Sequence, residues 1–124
     1  MIPRYRAWDK EFKEMVQVDA LIFDEQIIKA TYKNGNIAKE DLKNYVLMQS
    51  TGLKDKNGKE IFEGDIIDST DGFLTGVIEF RVSLGMFVSY LVEYNNFERL
   101  CNIASSRKII GNIWEHPELA EVSS

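Results

Sequence analysis

Glu63, Asp65, Asp68 and Asp71 place four carboxylates within one short stretch, a cluster that in principle binds Mg²⁺ or supplies the paired acid and base of a hydrolase. Asp65 and Asp68 are three positions apart, so an extended strand points them to opposite faces and parity argues against a shared site. Asp55, Asn57 and Glu60 have the look of a calcium loop, but an EF-hand needs alternating ligands across about twelve residues, a terminal bidentate Glu and flanking helices. Neither flank reads as helical, and a plain hairpin turn accounts for them. Cys101 and His116 are each the only residue of their type. One cysteine forbids an intramolecular disulfide, and structural zinc needs about four ligands. Cys101, set among Leu100 and Ile103, reads as a small buried hydrophobe, and His116 before Pro117 as a surface corner. No G-x-S-x-G elbow, P-loop or dinucleotide fingerprint is present. The expectation is therefore no enzyme, no metal and no cofactor.

Binding residues are the alternative to catalytic ones. Lys54, Lys56 and Lys59 form the one local basic cluster, interleaved with Asp55 and Glu60, and read as a solvated hairpin tip. The net charge is −5, and residues 69–124 carry four basic against seven acidic side chains. Nucleic-acid binders gather Lys and Arg on one face because each neutralised phosphate releases counterions, and an acidic surface opposes this. Phe73, Leu74, Met86 and Phe87 lie in or beside predicted turns, where they are candidates for exposed contact with a partner or a second copy. These seven residues make up the candidate interaction surface.

The elements that must position them show period-two alternation. Val16, Val18, Ala20 and Ile22 share one strand face, Asp24-Glu25-Gln26 supplies a turn, and Ile28, Ala30 and Tyr32 return as the second strand of a hairpin. Ile37 to Asn44 holds the best helix formers of its region, with Asn36 as N-cap, and predicts a short helix. Tyr45 to Gln49 resumes a strand. Asn57-Gly58 suits the left-handed dihedrals of a tight turn, with Ile61-Phe62 and Ile66-Ile67 as strand-like pairs around Gly64. Five further strands are predicted over 65–69, 76–82, 86–94, 99–103 and 108–114, at the short spacing of a small barrel. Within them Ile78, Phe80 and Val82 form one inward face, and Val88, Tyr90, Val92 and Tyr94 another.

Four blocks carry a resemblance: RYRAWDKEFKEMVQVD (Arg4 to Asp19), LMQSTGL (Leu47 to Leu53), TGLKDKNGKEIFEGDII (Thr51 to Ile67) and IIGNIWEHPEL (Ile109 to Leu119). With Trp8-Asp9, the TGLKDKNGKEI core and Gly111-Asn112-Ile113 in order, the chain resembles the YopX-like family of bacteriophage and prophage proteins. The match weakens over 26–45 and 71–106. The resemblance implies a β-rich fold with an SH3-like barrel in the C-terminal half, and it lends no catalytic residues.

A chain of 124 residues buries about two-thirds of its unfolded surface without a disulfide or metal. No apolar run approaches the roughly 20 residues of a membrane-spanning helix, and the charged start MIPRYRAWDKEF lacks the apolar core of a secretory signal. The expectation is a cytoplasmic protein of a bacterial host with no membrane partner. Its fold class is expected to be mainly β: residues 1–50 an N-terminal β-hairpin extension with one short helix, packed on an SH3-like small β-barrel over 51–124 that ends in a short tail. The expected function is that of a phage or prophage accessory protein acting as a non-catalytic protein-binding or self-associating module. A nucleic-acid-associated barrel is the alternative, using Lys54, Lys56 and Lys59 with Arg4 and Arg6.

Overall fold

Alternating apolar and polar side chains build two antiparallel sheets, seen in a computed structural model that describes residues 4–121. The chain divides into two units, Met1–Gln49 and Ser50–Ser124.

In the first unit, strands β1 (Tyr5–Asp9), β2 (Glu14–Ile22), β3 (Ile27–Thr31), β4 (Ile37–Asp41) and the start of β5 (Tyr45–Lys54) run in the order β4-β3-β2-β1-β5. The expected hairpin is β2 with β3, but its inward face changes partway: a bulge between Val18 and Ala20 puts Leu21, rather than Ala20 or Ile22, opposite Ile28 on the core side and leaves Ile22 exposed. Its turn is a 3-10 segment over Phe23–Glu25 that closes on Gln26 at φ 55°. Ala7, Val16, Ile28, Ala30 and Tyr45 form the buried core, with Val18, Leu21, Tyr32, Leu42 and Leu47 against it. Burying each Val- or Ile-sized side chain stabilises the fold by about 1.5–3 kcal/mol.

The helix expected over 37–44 is absent. Residues Ile37–Asp41 form β4, and only Leu42–Asn44 coil, as a 3-10 turn capped by the Asp41 carboxylate on the Lys43 N–H. A two-turn helix is marginal alone. Here Gly35, at φ 90°, turns the chain back so that Tyr32 N–H reaches the Asn36 carbonyl, and β4 pairs along β3, Ala38 against Ala30.

In the second unit the end of β5 pairs with β6 (Glu60–Phe62), Lys54 against Glu60. Strands β7 (Asp65–Asp68), β8 (Gly76–Arg81), β9 (Met86–Leu91), β10 (Asn96–Arg99) and β11 (Lys108–Asn112) form a sheet in the order β10-β9-β8-β7-β11. Ile61, Ile67, Ile78, Leu100 and Ala104 are its buried centre.

Several expectations change here. The strand expected over 99–103 is replaced by β10, which ends at Arg99, and the helical turn α1 (Leu100–Ile103). The i, i+4 spacing of Leu100 and Ala104 puts both on one side, where they are 0% and 5% exposed, and turns Cys101 out to solvent rather than into the core. Of the side chains expected to face inward, Phe80 is 43% exposed, Val82 beyond the end of β8 is 85% exposed, and Tyr94 beyond the end of β9 is 56% exposed. Finally, no ladder closes the sheet into a barrel among the described residues, because the chain leaves β10 through α1 and returns beside β7, which leaves β10 and β11 as edges.

Candidate protein-interaction surface

The hairpin tip that carries the three lysines is built around Asp55. Its Oδ1 accepts the N–H groups of Asn57 and Lys59, both at 2.9 Å, and its Oδ2 accepts that of Ile109 at 3.0 Å. Burial pushes this carboxyl's pKa up, but the N–H groups of Ile109, Lys59 and Asn57 and the Lys59 charge outweigh it and hold the value below the ordinary carboxylate range. Only Gly58 is left-handed, at φ 80°, and its N–H bonds to the Asp55 carbonyl, so Asn57 keeps an ordinary conformation. Lys54, Lys56 and Lys59 are exposed on this scaffold.

Lys56 links the tip to its surroundings. Its N–H bonds to the Arg107 carbonyl at 2.8 Å and its Nζ reaches Thr70 Oγ1 at 3.4 Å. Thr70 belongs to a loop ordered by Asp71, whose Oδ1 accepts the Ser69 hydroxyl at 2.5 Å and the Phe73 N–H at 3.0 Å. The Ser69 hydroxyl first, then the Phe73 N–H, lower the Asp71 pKa. Phe73 is held out to solvent at 70% exposure, while Leu74 is half-buried.

Met86 and Phe87 lie elsewhere. Phe73 and Leu74 precede β8, whereas Met86 and Phe87 open β9 beyond its far end, and six residues of strand separate them by about 20 Å. Phe87 packs on the core and meets Phe80 edge-on, ring centroids 5.1 Å apart. The seven candidate residues thus fall into two patches.

Around the second patch are residues that the alternation pattern misses. Phe80, Val82 and Leu84 are 43%, 85% and 40% exposed on the β8–β9 hairpin. The turn is well fixed: Leu84 N–H bonds to the Arg81 carbonyl, Gly85 N–H to that of Val82, and Gly85 adopts φ 63°. Arg81 braces its base, with Nε 2.8 Å from Glu79 Oε1 and the guanidinium 4.9 Å over the Phe97 ring and 5.9 Å over Tyr90. The sequence signal is Val82-Ser83-Leu84-Gly85, two aliphatic residues in a turn where polar ones are usual.

The carboxylates considered for metal or acid–base chemistry are engaged in structure. Asp65 is buried and its Oδ2 accepts the Phe62 N–H at 2.8 Å, and Asp68 Oδ1 accepts that of Ser69. Among the described residues no three His, Cys, Asp or Glu are grouped to hold a metal ion. His116 Nδ1 accepts the Asn112 N–H at 3.3 Å, and its ring covers Gly111 so closely that a Cβ there would lie 2.6 Å from Nδ1. Asn112 Oδ1 accepts the Trp114 and Glu115 N–H groups. The Gly-Asn-Ile block is therefore a packed corner.

A family profile described as YopX protein matches residues 4–121. The crystal structure of protein EF1440 from Enterococcus faecalis is similar at TM-score 0.67 and 34% identity, over 98% of this chain and 99% of that one. Protein yopX from Bacillus subtilis is similar in fold, at TM-score 0.57 and 23% identity over 95% and 98% of the two chains. No curated protein matches the sequence.

Proposed function

From the chain's membership of the YopX protein family, which it belongs to over nearly its whole length, we propose that it is a phage or prophage accessory protein that binds another protein without catalysis, inside the bacterial host cell. The second unit is read as an SH3-like module. Its four-strand meander, single helical turn and fifth strand returning beside the first support that reading. So does the use of Asp55, Asp65 and Asn112 to hold backbone rather than to face a cleft.

The observation that carries the proposal is the β8–β9 hairpin, where Phe80 near the end of β8 and Val82 and Leu84 in its hydrogen-bonded turn stay exposed. A turn whose backbone is already fixed by hydrogen bonds loses little backbone entropy on binding. The test is affinity capture from phage-infected host cells, with light scattering on the purified protein, for the natural chain and for a Val82→Ser, Leu84→Ser variant. A discrete partner, or a dimer, that the variant loses is the expected result. Identical capture and identical mass for both chains would remove the hairpin from the account.

A further inference from the structure

A second surface lies in the first unit and does not depend on the hairpin. A groove of about 590 Å³ is lined there by Phe12, Glu14, Tyr32, Ile37, Ala38 and Glu40, with two asparagines of the β3–β4 turn. Phe12 and Ile37 flank it at 71% and 64% exposure. Tyr32 is fixed from below, since its hydroxyl donates to Asp9 Oδ2 at 2.5 Å, which leaves Tyr45 to donate to Tyr32 Oη at 2.6 Å. Glu14 is positioned by accepting the Lys33 N–H at 3.2 Å.

Charge in the lining is of one sign. Glu14 and Glu40 contribute carboxylates and no cation contributes. Alternation along β4 explains part of this: Ala38 and Glu40, opposite Ala30 and Ile28, share the core-side face, while Lys39 sits opposite Lys29 on the other.

The groove also runs beside an open sheet edge, because β4 ends the strand order. Tyr32 N–H bonds to the Asn36 carbonyl and Leu42 N–H to that of Gln26, so the even-numbered residues of β4 direct their backbone groups at β3. The N–H and C=O of Ile37 and Lys39 consequently point away from the sheet.

We propose that this edge and groove form a docking site for an extended basic segment of a partner polypeptide. The segment's main chain pairs with Ile37 and Lys39 as an added strand. An apolar side chain rests against Phe12 and Ala38, and an arginine or lysine two positions along, on the same face, meets Glu14 and Glu40. The same carboxylates repel nucleic acid.

The experiment is a backbone-amide NMR titration of the whole chain with a blocked threonine hexapeptide carrying Leu and Arg two positions apart, against the same peptide with Glu for Arg. Expected are shifts at Phe12, Tyr32 and Glu40 and slowed exchange of the Ile37 and Lys39 amides with the Arg peptide. A Glu14→Gln, Glu40→Gln variant is expected to bind it about tenfold more weakly, and Phe12→Ala, at a solvent-exposed position, to weaken it with an otherwise unchanged spectrum. Equal response to both peptides, no groove shifts at millimolar Arg peptide, or shifts at Phe80–Leu84 instead would overturn the proposal. So would protection of Ile37 and Lys39 in a peptide-free dimer, which would make the occupant a second copy.

Discussion

Short acidic and amide side chains that accept backbone N–H groups recur at the corners of this protein: Asp9 for Glu11 and Phe12, Asp55 for Asn57, Lys59 and Ile109, and Asn112 for Trp114 and Glu115. Each lies in one of the blocks that carry the family resemblance, which gives those blocks an architectural reason. Asp55 is the most demanding case because both of its oxygens accept and its three donors come from two segments far apart in sequence. In Asp55→Asn the amide nitrogen must face one of those N–H donors, so the substitution is expected to cost about 2–3 kcal/mol in denaturant unfolding at neutral pH. The folded pKa of Asp55 lies below its ordinary value. Its contribution is therefore complete above about pH 4 and is lost as the pH falls through the folded value. The stability gap between the two proteins should close below pH 4, and a gap that is constant with pH would show that the charge of Asp55 is not what stabilises the turn.

At the scale of the element, β8 and β9 meet at an unusually close contact. Gly76 pairs with Leu91, and Ser89, which stands opposite Ile78, reaches diagonally over it, so that a Cβ on Gly76 would lie 1.8 Å from Ser89 Oγ and 3.1 Å from its Cβ. Ser89 is fully buried, and its hydroxyl has no hydrogen-bond partner among the described residues. Glycine here makes room for the Ser89 side chain rather than for an unusual dihedral. Ser89→Ala removes an unsatisfied buried hydroxyl and is expected to be neutral or to stabilise by about 1 kcal/mol. Gly76→Ala overpacks the contact and should cost about 1–3 kcal/mol. Adding Ser89→Ala to it should recover most of that loss in a double-mutant cycle of thermal or urea unfolding. Strict additivity of the two changes would mean that the side chains do not meet.

For the molecule as a whole the governing quantity is charge. Fifteen basic and twenty acidic side chains give −5 at neutral pH. The nucleic-acid reading rests on Lys54, Lys56 and Lys59 with Arg4 and Arg6; the structure exposes the three lysines together on one hairpin and places Arg6 in β1. Three phosphate contacts would give a slope of log K against log salt of about −2.7. The expected outcome is no retention on duplex DNA or on RNA at 50 mM salt. Retention that falls with that slope, and disappears in a triple Lys→Gln variant of these positions, would put the nucleic-acid module ahead of the protein-binding one.

Much of the fold was legible because its signals are local. The β2–β3 hairpin follows from alternation around Asp24-Glu25-Gln26, the Asp55–Lys59 turn from Gly58 and its flanking residues, and family membership from blocks spread along the chain. Where a segment's preference is weak, distant partners decided. Ile37–Asp41 carries helix-forming residues yet lies along β3, since the hydrogen bonds to β3 and the place of Ala38 beside the buried Ala30 outweigh two marginal helical turns. Leu100–Ile103 reads as a strand yet coils, because the core of the second unit takes Leu100 and Ala104 from one side. The same holds for surfaces. Sequence determines that Phe12, Ile37, Val82 and Leu84 are apolar, but whether each is covered depends on which strands end, turn or lie at an edge, and only the tertiary structure decides that.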